Sequence, residues 1–180
     1  LVIVGTLPLF LILPIKDWVE QLYYNTYFIG FALLATGALL YLSDRLSRGK
    51  KTEKGATVVD ALLVGASQAL ATVPGLSRSG TTIAVGMLRG YDRSFAVRYS
   101  FLLSLPALLG ANILSLKNAV EGGIDWSMLP VYLFGMVIAA VAGYFSIRLV
   151  NLLANKGKFG NFAYYCWAVG ALALILSVLL

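Results

Sequence analysis

The sequence predicts an all-α integral membrane protein, a polytopic helical bundle with one re-entrant helix-loop-helix. Three observations predict it. Hydrophobic residues make up 59% of the 180 positions and charged residues 12%, whereas soluble domains carry about 25% charged. Apolar runs recur close to the length of a bilayer crossing, about 20 residues. Lysine and arginine, finally, are distributed very unevenly among the loops between those runs.

The same composition excludes several function classes. A net charge of +6 would suggest nucleic acid in a soluble protein. In a chain this apolar it reads as loops held against an anionic leaflet, and no nucleic-acid partner is expected. Cys166 is the single cysteine, so an internal disulfide is excluded. With no histidine, the chain supplies neither an imidazole base nor a histidine metal ligand.

In chain order, Leu1–Leu13 is apolar but short for a crossing. It lacks the basic start and small-residue cleavage site of a signal peptide. It reads as the later part of a transmembrane helix (span about 1–14) that Pro14 ends, so the chain is expected to be an N-terminally truncated piece of a longer protein. Lys16, Asp17, Trp18, Glu20, Tyr23 and Tyr24 then form an aromatic, mixed-charge stretch suited to headgroup depth. Further spans are expected at 26–42, 99–116, 129–150 and 162–180. Loops 43–56, 117–127 and 151–161 separate them, together with a hairpin at 57–90.

Charge counting sets the topology, because cytoplasmic loops accumulate Lys and Arg. Residues 43–56 hold five, 89–98 three and 148–158 three, against Lys16 and Lys117 alone in the other two loops. The first three groups therefore share the cytoplasmic face. Only an even number of crossings between 43–56 and 89–98 allows this, and Thr81–Leu88 is too short to span. The expectation is a re-entrant hairpin: Thr57–Val73 enters, Pro74–Gly80 turns at depth, and Thr81–Leu88 returns. Non-helical backbone at that depth requires a surrounding cavity or protein.

The turn carries the chemistry. Pro74 and Gly75 permit a sharp reversal. Ser79-Gly80-Thr81-Thr82 then opens a short helix, whose unpaired N–H groups and dipole favour an anion. Arg78 adds a planar fork suited to phosphate, and an intramembrane arginine needs such a reason. Ser77, Ser79 and Thr82 can donate hydrogen bonds to the same group. In the competing reading Ser and Thr only cap the helix, while Arg78 binds backbone carbonyls. Gln68 and Thr72, four apart, face either this cavity or a neighbouring helix. Asp60 sits in the first turn of its helix, as a cap or dipole partner. Gly135, Ala139 and Gly143 form a small-residue stripe expected to pack closely against another helix.

The run from Gly65 to Ile83, with Pro74-Gly75-Leu76-Ser77-Arg78-Ser79-Gly80-Thr81-Thr82 at its centre, resembles the second signature of the undecaprenyl-diphosphatase family, also called bacitracin-resistance proteins. The segments Gly86-Met87-Leu88-Arg89-Gly90, Tyr99 to Pro106 and Phe162-Ala163-Tyr164-Tyr165 resemble that family too. The resemblance covers nearly the whole chain. It implies an inverted-repeat fold of which this chain is the second half, in the bacterial inner (plasma) membrane. The implied activity is hydrolysis of undecaprenyl diphosphate to the monophosphate, which recycles the cell-wall carrier and confers bacitracin resistance. It implies Arg78 and Ser77 as catalytic residues. Ser77, Arg78, Ser79, Gly80, Thr81, Thr82 and Gln68 would bind the polyprenyl diphosphate. A divalent cation, Mg²⁺ or Ca²⁺, is implied as cofactor, with no metal ligand in this chain; a homo-oligomer is a further expectation. The family's first signature, a Glu-x-x-x-Glu pair followed by Pro-x-Ser-Ser-Thr-Gly-His, is absent. The chain alone is therefore expected to be inactive. The alternative reading is a membrane anion or lipid transporter using the same phosphate cradle.

Overall fold

The computed structural model describes residues 1–123 and 126–179, so Asp125 of the expected 117–127 loop and Leu180 of the last span lie outside the described residues. Helices account for every regular element among them: α1 (Val2–Thr6), α2 (Lys16–Gln21), α3 (Thr26–Leu46), α4 (Val58–Leu70), α5 (Arg78–Leu88), α6 (Arg93–Gly122), α7 (Leu129–Asn155) and α8 (Phe162–Leu179). Among the described residues four stretches are long and apolar enough to cross a membrane, namely Thr26–Leu46, Arg93–Gly122, Trp126–Asn155 and Phe159–Val178, with a fifth if the bent pair at the start of the chain counts as one span. The chain is a multi-pass, all-α membrane protein.

The first apolar run differs from the single helix expected. α1 gives way at Leu7 to a tighter 3-10 helix over Leu7–Ile15, and Pro14 lies inside it rather than ending it. Pro8 and Pro14 lack the N–H that an α-helix uses and crowd the preceding turn. The segments Val2–Ile12 and Lys16–Tyr24 meet at a bend of 77°. α1 still packs closely: a Cβ on Gly65 would fall 2.0 Å from the Gly5 carbonyl oxygen, so α1 and α4 cross backbone to backbone. The hydroxyl of Tyr99 on α6 donates to the Leu1 carbonyl at 3.2 Å.

Helices α4 and α5 form the hairpin, and its two ends meet. Asp60 in the first turn of α4 accepts from Arg89 at the end of α5 at 2.8 Å and from Lys51 at 3.1 Å. The Lys51 amide donates to the Gly90 carbonyl at 2.9 Å, and the Asp92 amide donates to the Lys51 carbonyl at 2.8 Å. The chain thus leaves the hairpin where it entered. Asp60 also completes a capping box with Thr57, so the expected cap is present together with ion pairs that capping alone does not explain. The core lies around this hairpin, from Val64, Ile83, Ala84 and Met87 to a ladder of Tyr91, just before α6, and Phe95 and Tyr99 on its first turns. These rings recur every four residues, with centroids 4.7 and 5.8 Å apart.

Helix α3 packs on α8 through small residues. A Cβ on Gly37 would meet the Trp167 indole at 2.4 Å, and one on Gly30 would meet Leu174 at 2.6 Å. The third basic group joins the other two: Arg93 pairs with Asp44, and Asp44 also accepts from the Gly160 amide at 3.0 Å.

The small-residue stripe on α7 is a correction. A Cβ at Gly135 or Gly143 would meet nothing within 4 Å, and none of the apolar window of Trp126–Asn155 is buried. Small residues permit close packing without supplying a neighbour, and within the described residues this stripe has none.

Candidate phosphate-binding site

Between α5 and α6 lies a cavity of about 240 Å³ lined by Arg78, Ser79, Thr82, Ser100, Phe101 and Ser104. The loop before it is held by α3. The Thr36 hydroxyl donates to the Gly75 carbonyl at 3.2 Å and accepts from the Ser77 amide at 3.4 Å. Gly75 has φ +87°, and a Cβ there would sit 2.7 Å from the Ile29 carbonyl oxygen. That left-handed, crowded position requires glycine.

Helix α5 starts at Arg78, one residue before the Ser79 expected to open it, and its cap is Ser77. The Ser77 hydroxyl oxygen accepts from the Gly80 amide at 3.2 Å. One of the orphan N–H groups of the helix start is therefore satisfied internally. The Arg78 and Ser79 amides remain at the open end.

Arg78 is half-buried. Its Nε and Nη2 both donate to Gln68 Oε1, at 3.1 and 3.0 Å, and Nη2 also donates to the Ser104 carbonyl at 3.2 Å. Every one of these acceptors is neutral, and no carboxylate pairs with Arg78 among the described residues. The guanidinium is fixed in direction while its charge stays uncompensated, and Nη1 is left to reach a ligand. Such an arrangement suits a group that brings its own negative charge.

The residues implicated by sequence divide accordingly. Arg78, Ser79 and Thr82 line the cavity. Gln68 stands behind Arg78 as its holder, buried, with its own Nε2 unpartnered among the described residues. The Thr82 hydroxyl lies 2.9 Å from the Arg78 carbonyl and 2.6 Å from the Ser100 hydroxyl, so its single proton is contested inside the protein. Ser77 is exposed at the cap, Gly80 is buried beneath it, and Thr81 is buried with a hydroxyl unpartnered among the described residues; none of the three lines the cavity. Thr72 lies past the end of α4 and its hydroxyl turns back to the Ala69 carbonyl at 2.8 Å, away from the cavity.

Ser100 and Ser104 on α6 were not singled out by sequence reasoning. Their signal was available: two serines four apart in an otherwise apolar span fall on one helical face. A divalent cation does not fit the cavity lining, which offers a guanidinium and neutral hydroxyls but no carboxylate. Among the described residues no cluster of three His, Cys, Asp or Glu side chains could hold a metal.

A family model described as bacitracin resistance protein BacA matches residues 1–172. The chain belongs to the bacitracin-resistance protein family. Relatives in the family are named undecaprenyl-diphosphatase. One, from Halothermothrix orenii, is 42% identical over 178 residues, covering 98% of this chain and 69% of its own length. Another, from Methanosphaera stadtmanae, is 42% identical over 181 residues, covering all of this chain and 64% of its own length. The chain thus spans about two thirds of these relatives. A third, from Methanothermobacter thermautotrophicus, is 39% identical over 184 residues and is covered along 100% of its length.

Proposed function

We propose that this chain carries the diphosphate-binding part of an undecaprenyl-diphosphatase in the plasma membrane, the inner membrane in bacteria. The reaction is hydrolysis of the terminal anhydride bond of undecaprenyl diphosphate. Water adds to the terminal phosphorus, the P–O bond to the bridging oxygen breaks, and undecaprenyl phosphate leaves with inorganic phosphate as co-product. The recovered monophosphate re-enters cell-wall carrier recycling, and its supply underlies bacitracin resistance.

The observation that carries this reading is the uncompensated, rigidly held Arg78 guanidinium in a cavity edged by hydroxyls. Its remaining N–H groups meet a phosphoryl oxygen as negative charge develops there. The amides of Arg78 and Ser79, with the Ser79 hydroxyl, face the same anion from the helix start. The Ser77 hydroxyl, exposed at the helix cap, would meet the lipid diphosphate on entry. A divalent cation in the reaction would bind through phosphate oxygens and ligands other than the cavity residues.

The test is binding and turnover of a polyprenyl diphosphate by the purified chain. Binding is expected for the wild type and is expected to fall about 10- to 100-fold in Arg78→Ala. Arg78→Lys, which keeps charge but loses the fork, is expected to lose on the order of tenfold. Equal affinity in the wild type and Arg78→Ala overturns the reading. Phosphate release is expected to be far slower than that of the longer relatives, because no carboxylate or imidazole lines the cavity to take a proton from water. A rate matching those relatives would show that this proton transfer needs neither group.

A further inference from the structure

The molecule has a second polar cleft, at the basic end where α3 meets the start of α8. It measures about 180 Å³, and Tyr41, Asp44, Arg45, Gly160, Asn161 and Tyr164 line it. Nothing in the phosphatase reading uses these residues.

Three features define what it can hold. Arg45, in the last turn of α3, lays its guanidinium over the Tyr41 ring with Cζ 4.8 Å from the centroid, and has no carboxylate partner among the described ion pairs. Stacking fixes its plane while leaving the N–H edge open. Asp44 also faces the cleft, but its carboxylate is already bound by Arg93 and by the Gly160 amide, so it does not offset Arg45. Behind both, Tyr41, Tyr164 and Trp167 form a cluster with centroids 5.6 to 6.5 Å apart. Amphipathic rings grouped in this way are suited to the depth of lipid headgroups.

The surroundings are predominantly basic, since Asp44 and Glu53 are each held by an arginine. Arg48, Lys50, Lys54, Lys156 and Lys158 flank this end of the bundle and pair with no carboxylate among the described ion pairs. A surface of that kind attracts anionic lipid in general. The cleft adds a fixed guanidinium, the Asn161 amide and the Tyr164 hydroxyl at one place, next to the apolar surface of α8.

We propose that this cleft binds the headgroup phosphate of one anionic phospholipid, with Arg45 as its principal contact and the acyl chains lying along α3 and α8. The site is separate from the Arg78 cavity and does not depend on the function assigned to that cavity.

The experiment is native mass spectrometry of the purified, delipidated chain titrated with phosphatidylglycerol, with phosphatidylcholine of the same acyl chains, and with inorganic phosphate as competitor. The expected result is one retained phosphatidylglycerol, favoured about tenfold over phosphatidylcholine. Arg45→Ala is expected to reduce that preference at least about fivefold, whereas Lys156→Ala changes it less than about twofold. Arg45→Gln, which keeps most of the side chain, is expected to behave like Arg45→Ala and serves if the alanine variant fails to fold. An unchanged preference in the Arg45 variants overturns the proposal. So does an equal loss in Lys156→Ala, which would mean a diffuse charge effect. Displacement of the lipid by millimolar inorganic phosphate also overturns it, by making the cleft a site for the free ion.

Discussion

Replacing Asp60 tests what holds the hairpin shut. Its carboxylate is completely buried and accepts from Arg89 at 2.8 Å, Lys51 at 3.1 Å and the Thr57 amide at 3.1 Å. Removing one partner of a buried ion pair costs about 3–5 kcal/mol, chiefly because the other charge is stranded. Here the cation side chains are 39% and 41% exposed and can regain water. That lowers the expected loss for Asp60→Ala to about 2–3 kcal/mol, of which about 1 belongs to the capping box. Asp60→Asn keeps an oxygen for the Thr57 amide and is expected to lose about 1–2 kcal/mol. Unfolding in mixed micelles with increasing dodecyl sulfate measures both. Hydrogen exchange at the Lys51 and Asp92 amides should accelerate in parallel, because those bonds close the same mouth. An Asp60→Ala protein within about 0.5 kcal/mol of wild type, with unchanged exchange at Lys51, would refute the reasoning.

Further outcomes follow from the site. Gln68→Leu removes the oxygen that holds two Arg78 donors and should weaken polyprenyl diphosphate binding about tenfold at unchanged helical content by circular dichroism; unchanged affinity would mean Arg78 needs no holder. Gly75→Ala places a Cβ against the Ile29 carbonyl at φ +87° and should destabilise by about 2–4 kcal/mol in the same unfolding assay. Thr82→Val deprives the Ser100 hydroxyl of its 2.6 Å partner and should cost about 1–2 kcal/mol, with Thr82→Ser largely restoring stability. Thr81→Val, which deletes a buried hydroxyl that has no partner among the described residues, should instead be neutral or stabilising. A loss there as large as for Thr82→Val would contradict the assignment.

Much of the architecture was readable because it follows from strong, local rules. Apolar runs of crossing length gave α3, α6, α7 and α8, although the first three extend beyond the apolar segment into flanking residues, such as Ser43–Leu46 and Asn151–Asn155. Helical hydrogen bonding does not stop where hydropathy does. The uneven basic loops anticipated that the chain returns beside Lys51 after the hairpin, since charge distribution reports on faces and not on contacts. The site was only half readable. Arg78 stood out because a charge among apolar neighbours is rare. Its holder and its neighbours depend on how α4 and α6 pack, which is not local: Gln68 looked equally suited to a helix contact, and Ser100 and Ser104 looked like ordinary serines. Ser77 as the true cap was hidden by three further hydroxyls within five residues. The α7 stripe misled because it encodes an ability to pack, not the presence of a partner.

The parallel bridge between Lys51 and Tyr91 has a consequence for assembly in the membrane. Lys51 emerges during synthesis well before the backbone it grips, so the descending helix enters the lipid with nothing to fasten it. Only when Gly90 to Asp92 arrive can the dip be tied at its mouth, and Arg93 then reaches Asp44 in the adjacent turn of chain. The arginine at the bottom thus acquires its fixed surroundings as a late step, after both limbs are in place. A released chain truncated just short of Gly90 should leave residues 57–88 open to labelling from the aqueous side, and a chain extended through Arg93 should protect them.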